Sequence, residues 1–343
     1  MIAPRCTDRC ALAAVDHEGG RALAQLVAGL GYIGAELARQ LLAAGEAVVG
    51  VDNLFSTDAV AVRALATNPR FTLVQGSIAS PKTLARAFAV ARISSVFALA
   101  AQASAHPAVA SPRYTETANL LAPRLLLEAA AAHRVGTVVY GSSLRVYGDV
   151  PVWQARETDT YGRFTDLSHL SKVYGEKLLE MYAHQRGFRG RSLRLALVYG
   201  VGPVMKTDER FLTAPNKFCL QTVRGEALAV SESGLRPQAL IHVADAALAA
   251  RHAAELPDPA PYLALNAASE VATMLEVAQT VVVEAAGLGL TARIAAPLAT
   301  NPPVVGRGPV PSRLADAGYR PRRALGEGLR ETLSYYRQRI TSR

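Results

Sequence analysis

Gly29, Gly31 and Gly34 sit in the turn Gly29-Leu30-Gly31-Tyr32-Ile33-Gly34, and Asp52 follows 23 positions after Gly29. In a G-x-G-x-x-G turn the first glycine permits a tight bend and the second lets backbone approach a pyrophosphate. The third lets a helix and a strand pack closely, and the helix N–H groups face the phosphate charge. An acid about 20 residues on accepts hydrogen bonds from an adenosine ribose and repels a 2′-phosphate. The expected cofactor is therefore NAD rather than NADP.

Glycines recur in ordinary turns, so the motif depends on the elements around it. Residues 23–27 read as a short apolar strand, AELARQLLAAG as a helix stopping at Gly45, and residues 47–51 as a second buried strand ending in Asp52. The alternation continues with strands at 71–74 and 95–99, and with helices at 81–91 and through 120–133. A strand at 136–140 runs on to Ser142-Ser143, followed by a helix over 168–185 and a strand over 192–198. Repeated β then α predicts an α/β fold, a Rossmann-like doubly wound parallel sheet covered on both faces. Past residue 200 the pattern is broken by glycines and prolines, with helices near 243–254, 274–286 and 325–339. The expected organisation is an N-terminal extension (1–21), an NAD-binding domain (22–200) and a smaller C-terminal substrate lobe (201–343), the lobe interleaved with the sheet domain.

Composition narrows the class. With 343 residues, half of them hydrophobic, the chain can bury a sizeable core. Cys6, Cys10 and Cys219 lack the spacing of a disulfide framework or a zinc site, so no metal is expected and a cytoplasmic location fits. No stretch approaches the length of a membrane span. The net charge of +9 comes from arginines spread along the chain, without the basic run or aromatic stripe of a nucleic-acid binder. A moderate positive field suits an anionic small molecule instead.

From about residue 22 to 339 the chain resembles the extended short-chain dehydrogenase/reductase family, specifically its NAD-dependent nucleotide-sugar epimerases and dehydratases. The resemblance rests on the glycine turn with Val51-Asp52-Asn53-Leu54, on Val74-Gln75-Gly76-Ser77-Ile78 and on Leu99-Ala100-Ala101-Gln102. It continues through Asn119, Ser142-Ser143-Leu144-Arg145-Val146-Tyr147-Gly148, Leu240-Ile241-His242-Val243 with Asp245, and Gly328-Leu329-Arg330-Glu331-Thr332. It implies an isomerase or oxidoreductase acting on a nucleotide sugar or related polyol by transient oxidation, with NAD tightly bound. Tyr32, Ile33, Asn53, Leu54, Ser77, Ile78, the 99–102 segment, Asn119 and Lys172 join the glycines and Asp52 as implied cofactor contacts. A homodimer is implied through helices beginning near Ala108 and Ser168.

In that family a tyrosine four residues before a lysine takes a proton from a substrate hydroxyl, the lysine lowers the tyrosine pKa, and a serine hydrogen-bonds the reacting oxygen. Residues i and i+4 share one helix face, so both groups reach one pocket. Lys172 and Ser143 match; the tyrosine position is Ser168, a poorer and shorter acid. Three readings follow. Tyr161, in the preceding loop, or the imidazole of His169 supplies the acid/base group, although His169 lies about 100° around the helix axis from its neighbours. Alternatively Ser168 and Ser143 relay protons through water beside Lys172. In the third reading the protein is a catalytically weak or non-redox NAD-binding relative. Leu144-Arg145 replaces the acidic pair of sugar 4,6-dehydratases, which disfavours that reaction. Gln238 replaces the diphosphate-gripping arginine, leaving Arg236 as its candidate substitute, with Asn216 and Lys217, read as polar loop residues, as further substrate contacts.

Overall fold

The computed structural model describes residues 22–103, 111–206, 208–295 and 308–341. The extension 1–21 with Cys6 and Cys10, His106, the helix start near Ala108, and Pro297, Pro302 and Pro303 lie outside these residues.

The first half alternates β1 (Leu23–Ala28), α1 (Tyr32–Ala43), β2 (Ala47–Asp52), α2 (Ala59–Leu65), β3 (Phe71–Gln75), α3 (Pro81–Val90) and β4 (Arg92–Ala98). Then come α4 (Pro112–Glu116), a π-helical segment Thr117–Leu121, α5 (Ala122–Ala132), β5 (Thr137–Ser143), α6 (Leu167–Arg186) and β6 (Arg189–Leu195). The second half holds β7 (Leu197–Tyr199), α7 (Ala214–Arg224), β8 (Leu228–Ala229), β9 (Gln238–His242), α8 (Val243–Glu255) and β10 (Tyr262–Ala267). It ends with β11 (Glu270–Ala272), α9 (Met274–Ala286), β12 (Ile294–Ala295), α10 (Arg313–Asp316) and α11 (Leu325–Thr341).

Seven parallel strands form the main sheet in the order β10-β6-β5-β4-β1-β2-β3. Because helices cover both faces, strands such as β2 are buried on both sides and mostly apolar rather than alternating, while β6 buries Arg191, Ser192 and Arg194. On one face Leu37 and Leu41 of α1 meet Ala246 and Ala250 of α8, and on the other Leu84 of α3, Leu126 of α5 and Leu178 of α6 close a second core. A third core, including Phe218, Val277 and Leu329, fills the lobe between α7, α9 and α11.

The expected strand over 192–198 is two strands in two sheets. After the Ala196 N–H bonds the Ala267 carbonyl at 2.9 Å, the chain leaves the main sheet, and Leu197 to Tyr199 pair in parallel with β9 in a three-stranded sheet β11-β9-β7. The run Ser192-Leu193-Arg194-Leu195-Ala196-Leu197-Val198 carries no glycine, proline or other mark of this change of partner. The lobe's chain also returns: β10 is the outer strand beyond β6, and α8 packs on α1, so a boundary at residue 200 divides no independent core.

α6 begins at Asp166, whose Oδ1 accepts the His169 N–H at 2.9 Å, and ends at Gly187 in the left-handed conformation, φ 78°. It is tied to the sheet by a buried ion pair. Arg194 of β6 grips Glu176 with Nη2 at 2.7 Å and Nε at 3.1 Å from both carboxylate oxygens, and the two side chains are 3% and 0% exposed. Ser142, Tyr161 (3.0 Å) and Tyr262 (3.4 Å) donate to the same carboxylate, and Arg194 Nη1 donates to the Tyr147 hydroxyl at 2.7 Å. Breaking a buried pair from one side leaves an uncompensated charge, so Arg194→Met is expected to lower the unfolding free energy by about 3–5 kcal/mol in urea titrations. Glu176→Leu combined with Arg194→Met should recover part of that loss, since neither charge then remains.

Candidate active site

The glycine turn is shaped by close approach. Gly29 has φ +99°, its N–H donates to Val51 O at 2.8 Å, and a Cβ there would overlap the Ala100 backbone. A Cβ at Gly34 would overlap the Gly29 carbonyl oxygen, whereas one at Gly31 would meet nothing within 4 Å. Gly29 and Gly34 are thus required by packing, and Gly31 borders open space at the N-terminus of α1. No acid occupies the first turn of α1. This cradle fits a pyrophosphate held by helix N–H groups.

Asp52, at the end of β2, accepts Leu30 N–H on Oδ2 and Leu54 N–H on Oδ1, each at 2.7 Å. Each oxygen keeps capacity for a ribose hydroxyl. The second bond holds Leu54 at φ +56° and leaves the Asn53 side chain exposed, accepting from Phe55 N at 3.1 Å. Gly76 N–H donates to Asp52 O at 2.9 Å, bringing Ser77 beside the acid, while Ile78 is packed in the core. Leu99 and Ala100 both donate to Ala28 O, at 2.9 and 2.7 Å, so the 99–102 segment lines the turn from the β4 side. Ile33 packs against the core, and the Tyr32 side chain turns away toward the lobe, its hydroxyl donating to Gly200 O at 2.5 Å. Tyr114, which no sequence motif marks, lies with its ring tilted against Phe55 at 5.3 Å between centroids, and its hydroxyl pKa is raised by burial and by nearby Asp52.

Asn119 lies within the π-helical segment, where the widened turn directs its amide at the strand-end loop. Its Oδ1 accepts Gln102 N–H and its Nδ2 donates to Gln102 O, both at 2.8 Å, with a further bond from Nδ2 to Ser171 Oγ at 2.8 Å. Ser168 is buried one helix turn before Lys172, and its hydroxyl donates to the same Gln102 carbonyl at 3.3 Å. Lys172 Nζ donates to Gly141 O at 2.7 Å and lies 5.2 Å from the Tyr140 ring centroid. Burial pushes the ammonium down to about 8, while Glu176, one turn on, acts in the opposite sense. Ser143, at the end of β5, is partly exposed, and its oxygen accepts Arg145 N–H at 3.2 Å.

The structure therefore gathers Ser143, Ser168, Lys172, Asn119 and Gln102 at the carboxyl ends of β4 and β5. It places the other two acid/base candidates on different partners. Tyr161 donates to Glu176, its pKa raised by burial and by that carboxylate, and its ring lies 5.4 Å from the Arg194 guanidinium. The His169 ring is held by Asp166, Nδ1 to Oδ2 at 2.5 Å, at the helix cap.

Of the substrate candidates, Asn216 is not a loop residue. It is buried in the first turn of α7, where Oδ1 accepts Gly200 N–H at 2.9 Å and Nδ2 donates to Gly200 O at 3.2 Å and to the Tyr32 hydroxyl at 3.3 Å. Through these bonds it fastens the β7–α7 connection to α1. Lys217 is exposed on the same helix, and Arg236 is exposed after a 3-10 turn, without a side-chain partner among the described residues. Arg145 reaches Gln238 Oε1 at 3.5 Å, so a guanidinium stands beside the position whose expected arginine is missing. Cys219 is buried, its thiol pKa raised by that burial. Among the described residues no cluster of metal ligands occurs and no helix is long and apolar enough to cross a membrane.

The profile of the NAD dependent epimerase/dehydratase family matches residues 25–268, and the chain belongs to that family. A dTDP-4-dehydro-6-deoxy-D-allose reductase from a Streptomyces species is 30% identical over 339 residues, covering 94% of this chain and 98% of the relative. UDP-glucuronate 4-epimerase 1 of Arabidopsis thaliana is 29% identical over 189 residues, 54% of this chain and 44% of the relative. The chain spans about half the length of several curated relatives that it matches in this way. The crystal structure of UDP-glucose 4-epimerase from Thermotoga maritima with UDP-glucose superimposes with a TM-score of 0.76 at 25% identity, over 92% of this chain and 99% of that one.

NAD, the family's cofactor, fits the cradle at Gly31 and the free acceptor capacity of Asp52. Gly31→Ala is therefore expected to melt within a few degrees of the wild type while its NAD affinity falls about tenfold or more by calorimetry. Gly34→Ala, with no space for its methyl group, should lose thermal stability first.

Proposed function

We propose that this protein is an NAD-dependent epimerase-like enzyme that inverts a hydroxyl of a nucleotide sugar, or a related polyol, by transient oxidation. The observation that carries this reading is Lys172, anchored on Gly141 O beside Ser143, with an amine that burial brings to about 8. Such an amine exchanges protons near neutral pH. NAD, when bound, supplies the reversible acceptor for the hydride. Lys172 takes the hydroxyl proton, directly or through a water between Ser143 and Ser168, holds it as ammonium beside the new carbonyl, and returns it once the other face has been reduced. Ser143 Oγ donates to the reacting oxygen. Ser168 positions the segment at Gln102 and carries no charge of its own.

The sign of the pH dependence follows. Below about 8 the amine is already protonated and accepts nothing, so turnover should rise as pH passes upward through that value and then level off. NMR of UDP-glucose or UDP-glucuronate incubated with NAD-loaded protein in deuterated buffer measures it. Lys172→Met should abolish turnover; a variant that turns over with the wild-type profile would refute the assignment.

Two other readings have an observation each. The burial of Ser168, with its hydroxyl on Gln102, favours a catalytically weak or non-redox NAD-binding relative; such a protein binds the nucleotide sugar without turnover at any pH. The full-length resemblance to a reductase favours net redox chemistry, which changes the nicotinamide absorbance in proportion to product.

The homodimer belongs to the same proposal. Leu170, Tyr174 and Met181 form an exposed apolar stripe on α6, with Leu121 exposed on the neighbouring π-helical segment. Four helices, two from each copy, would cover it. Leu170→Glu with Met181→Glu should shift the protein from dimer to monomer in light scattering without changing its NAD affinity. A reducing, cytoplasmic location suits the free thiol of Cys219.

A further inference from the structure

The chain meets its need for positive charge almost wholly with arginine: of 37 basic side chains only five are lysines, at 82, 172, 177, 206 and 217. Two of these five are drawn into the protein. One is Lys172; the other, Lys206, takes no part in the chemistry described so far. It sits in the connection between β7 and α7, which closes over the start of α1. Tyr32, the first residue of α1, donates to Gly200 O in that connection, and Gly202 packs beside it.

Lys206 Nζ lies 5.7 Å from the Tyr32 ring centroid and donates to Phe211 O at 2.8 Å. One carbonyl and one aromatic face are poor compensation for an ammonium group with three donors. Among the described residues no carboxylate pairs with it, and burial alone pushes it down to about 8. The nearby end of α1 is itself electropositive, because its first N–H groups are unpaired and no acid occupies its first turn. A partly buried cation thus stands beside the first residue of the helix, and among the described residues no anion of the protein's own pairs with it.

We propose that Lys206 is a ligand for a diphosphate at the junction of α1 and the lobe, either the pyrophosphate of the dinucleotide or the diphosphate of the nucleotide sugar. Both present the same chemistry, two adjacent phosphodiester charges. A compact ammonium on a flexible stem serves as a point charge toward either. Asn216 of α7 and Tyr32 of α1 both fasten Gly200 at the start of the connection that carries Lys206, and the ammonium itself is held by Phe211 O. Binding the anion would then relieve the cost of burying the charge.

The inference deepens the reading above and rests on it, and the two fail separately. Calorimetry of the wild type with NAD, and of the NAD-loaded protein with UDP-glucose, tests that reading: a wild type that binds neither refutes it. The comparison with Lys206→Met tests Lys206. Removing a partly buried charge that no carboxylate among the described residues offsets should leave the ligand-free protein about as stable as the wild type, while raising Kd about tenfold or more for one of the two ligands. The ligand affected identifies the diphosphate. A variant with a lower melting temperature and both Kd values unchanged shows that Lys206 only braces the connection, and overturns the inference. A second measurement needs no folded variant. With five lysines, lysine-selective 15N labelling follows the Lys206 ammonium by NMR, and saturation with the diphosphate ligand must raise its titration midpoint. A midpoint unmoved by both ligands overturns the inference as well.

Discussion

The placement of Lys172 depends on a buried ion pair, Glu176 with Arg194. Glu176 follows Lys172 by one turn of α6, and Arg194 holds its carboxylate from the neighbouring strand with a planar, two-point grip. A helix resting on a sheet through apolar contacts alone can slide or roll by an ångström at little cost, because dispersion and burial are weakly directional. The Glu176–Arg194 pair removes both freedoms. It fixes which residue of α6 faces the end of β5, and therefore lets Lys172 reach the Gly141 carbonyl. Ser142 donates to Glu176, while the next residue, Ser143, points the opposite way out of the strand. The same carboxylate thus aligns the helix that bears the amine and the strand that bears the hydroxyl.

That arrangement explains what a serine at position 168 leaves intact. Ser168 is held through Gln102, whose backbone is clasped by Asn119, and Asn119 reaches Ser171 from the widened turn of its own helix. These bonds involve main-chain atoms or small hydroxyls and none needs a phenol. The scaffold around the missing tyrosine is therefore independent of it, and the lysine retains both its anchor and its depressed pKa. Under the proposed mechanism, proton transfer passes from the missing phenol to the amine one turn further along the helix.

The sheet was legible in the sequence because its signals are local. Buried parallel strands are short apolar runs, and the glycine turn with Asp52 announces the order of its elements. The splitting of residues 192–198 between two sheets was not legible, since pairing partners far apart in the chain decide it. Asn216 illustrates the limit for single residues. An asparagine after a proline reads as a loop contact, yet Pro215 opens a helix, and the amide is consumed by Gly200 and Tyr32, residues 16 and 184 positions away. The roles of Glu176 and Lys206 are hidden for a related reason: burial of a charge leaves no trace in its neighbours along the chain.

The outermost strand of the main sheet, β10, is also the last to be made. Residues 262–267 complete a sheet whose other six strands lie before residue 196, with the β7–α8 portion of the lobe threaded between. Until that strand emerges from the ribosome, the edge of β6 presents unpaired backbone groups along Gly190 to Leu195. The nucleotide-binding half therefore cannot finish folding ahead of the lobe, as a separate N-terminal domain would. The strand that seals the sheet is thus synthesised only after part of the lobe has been laid down.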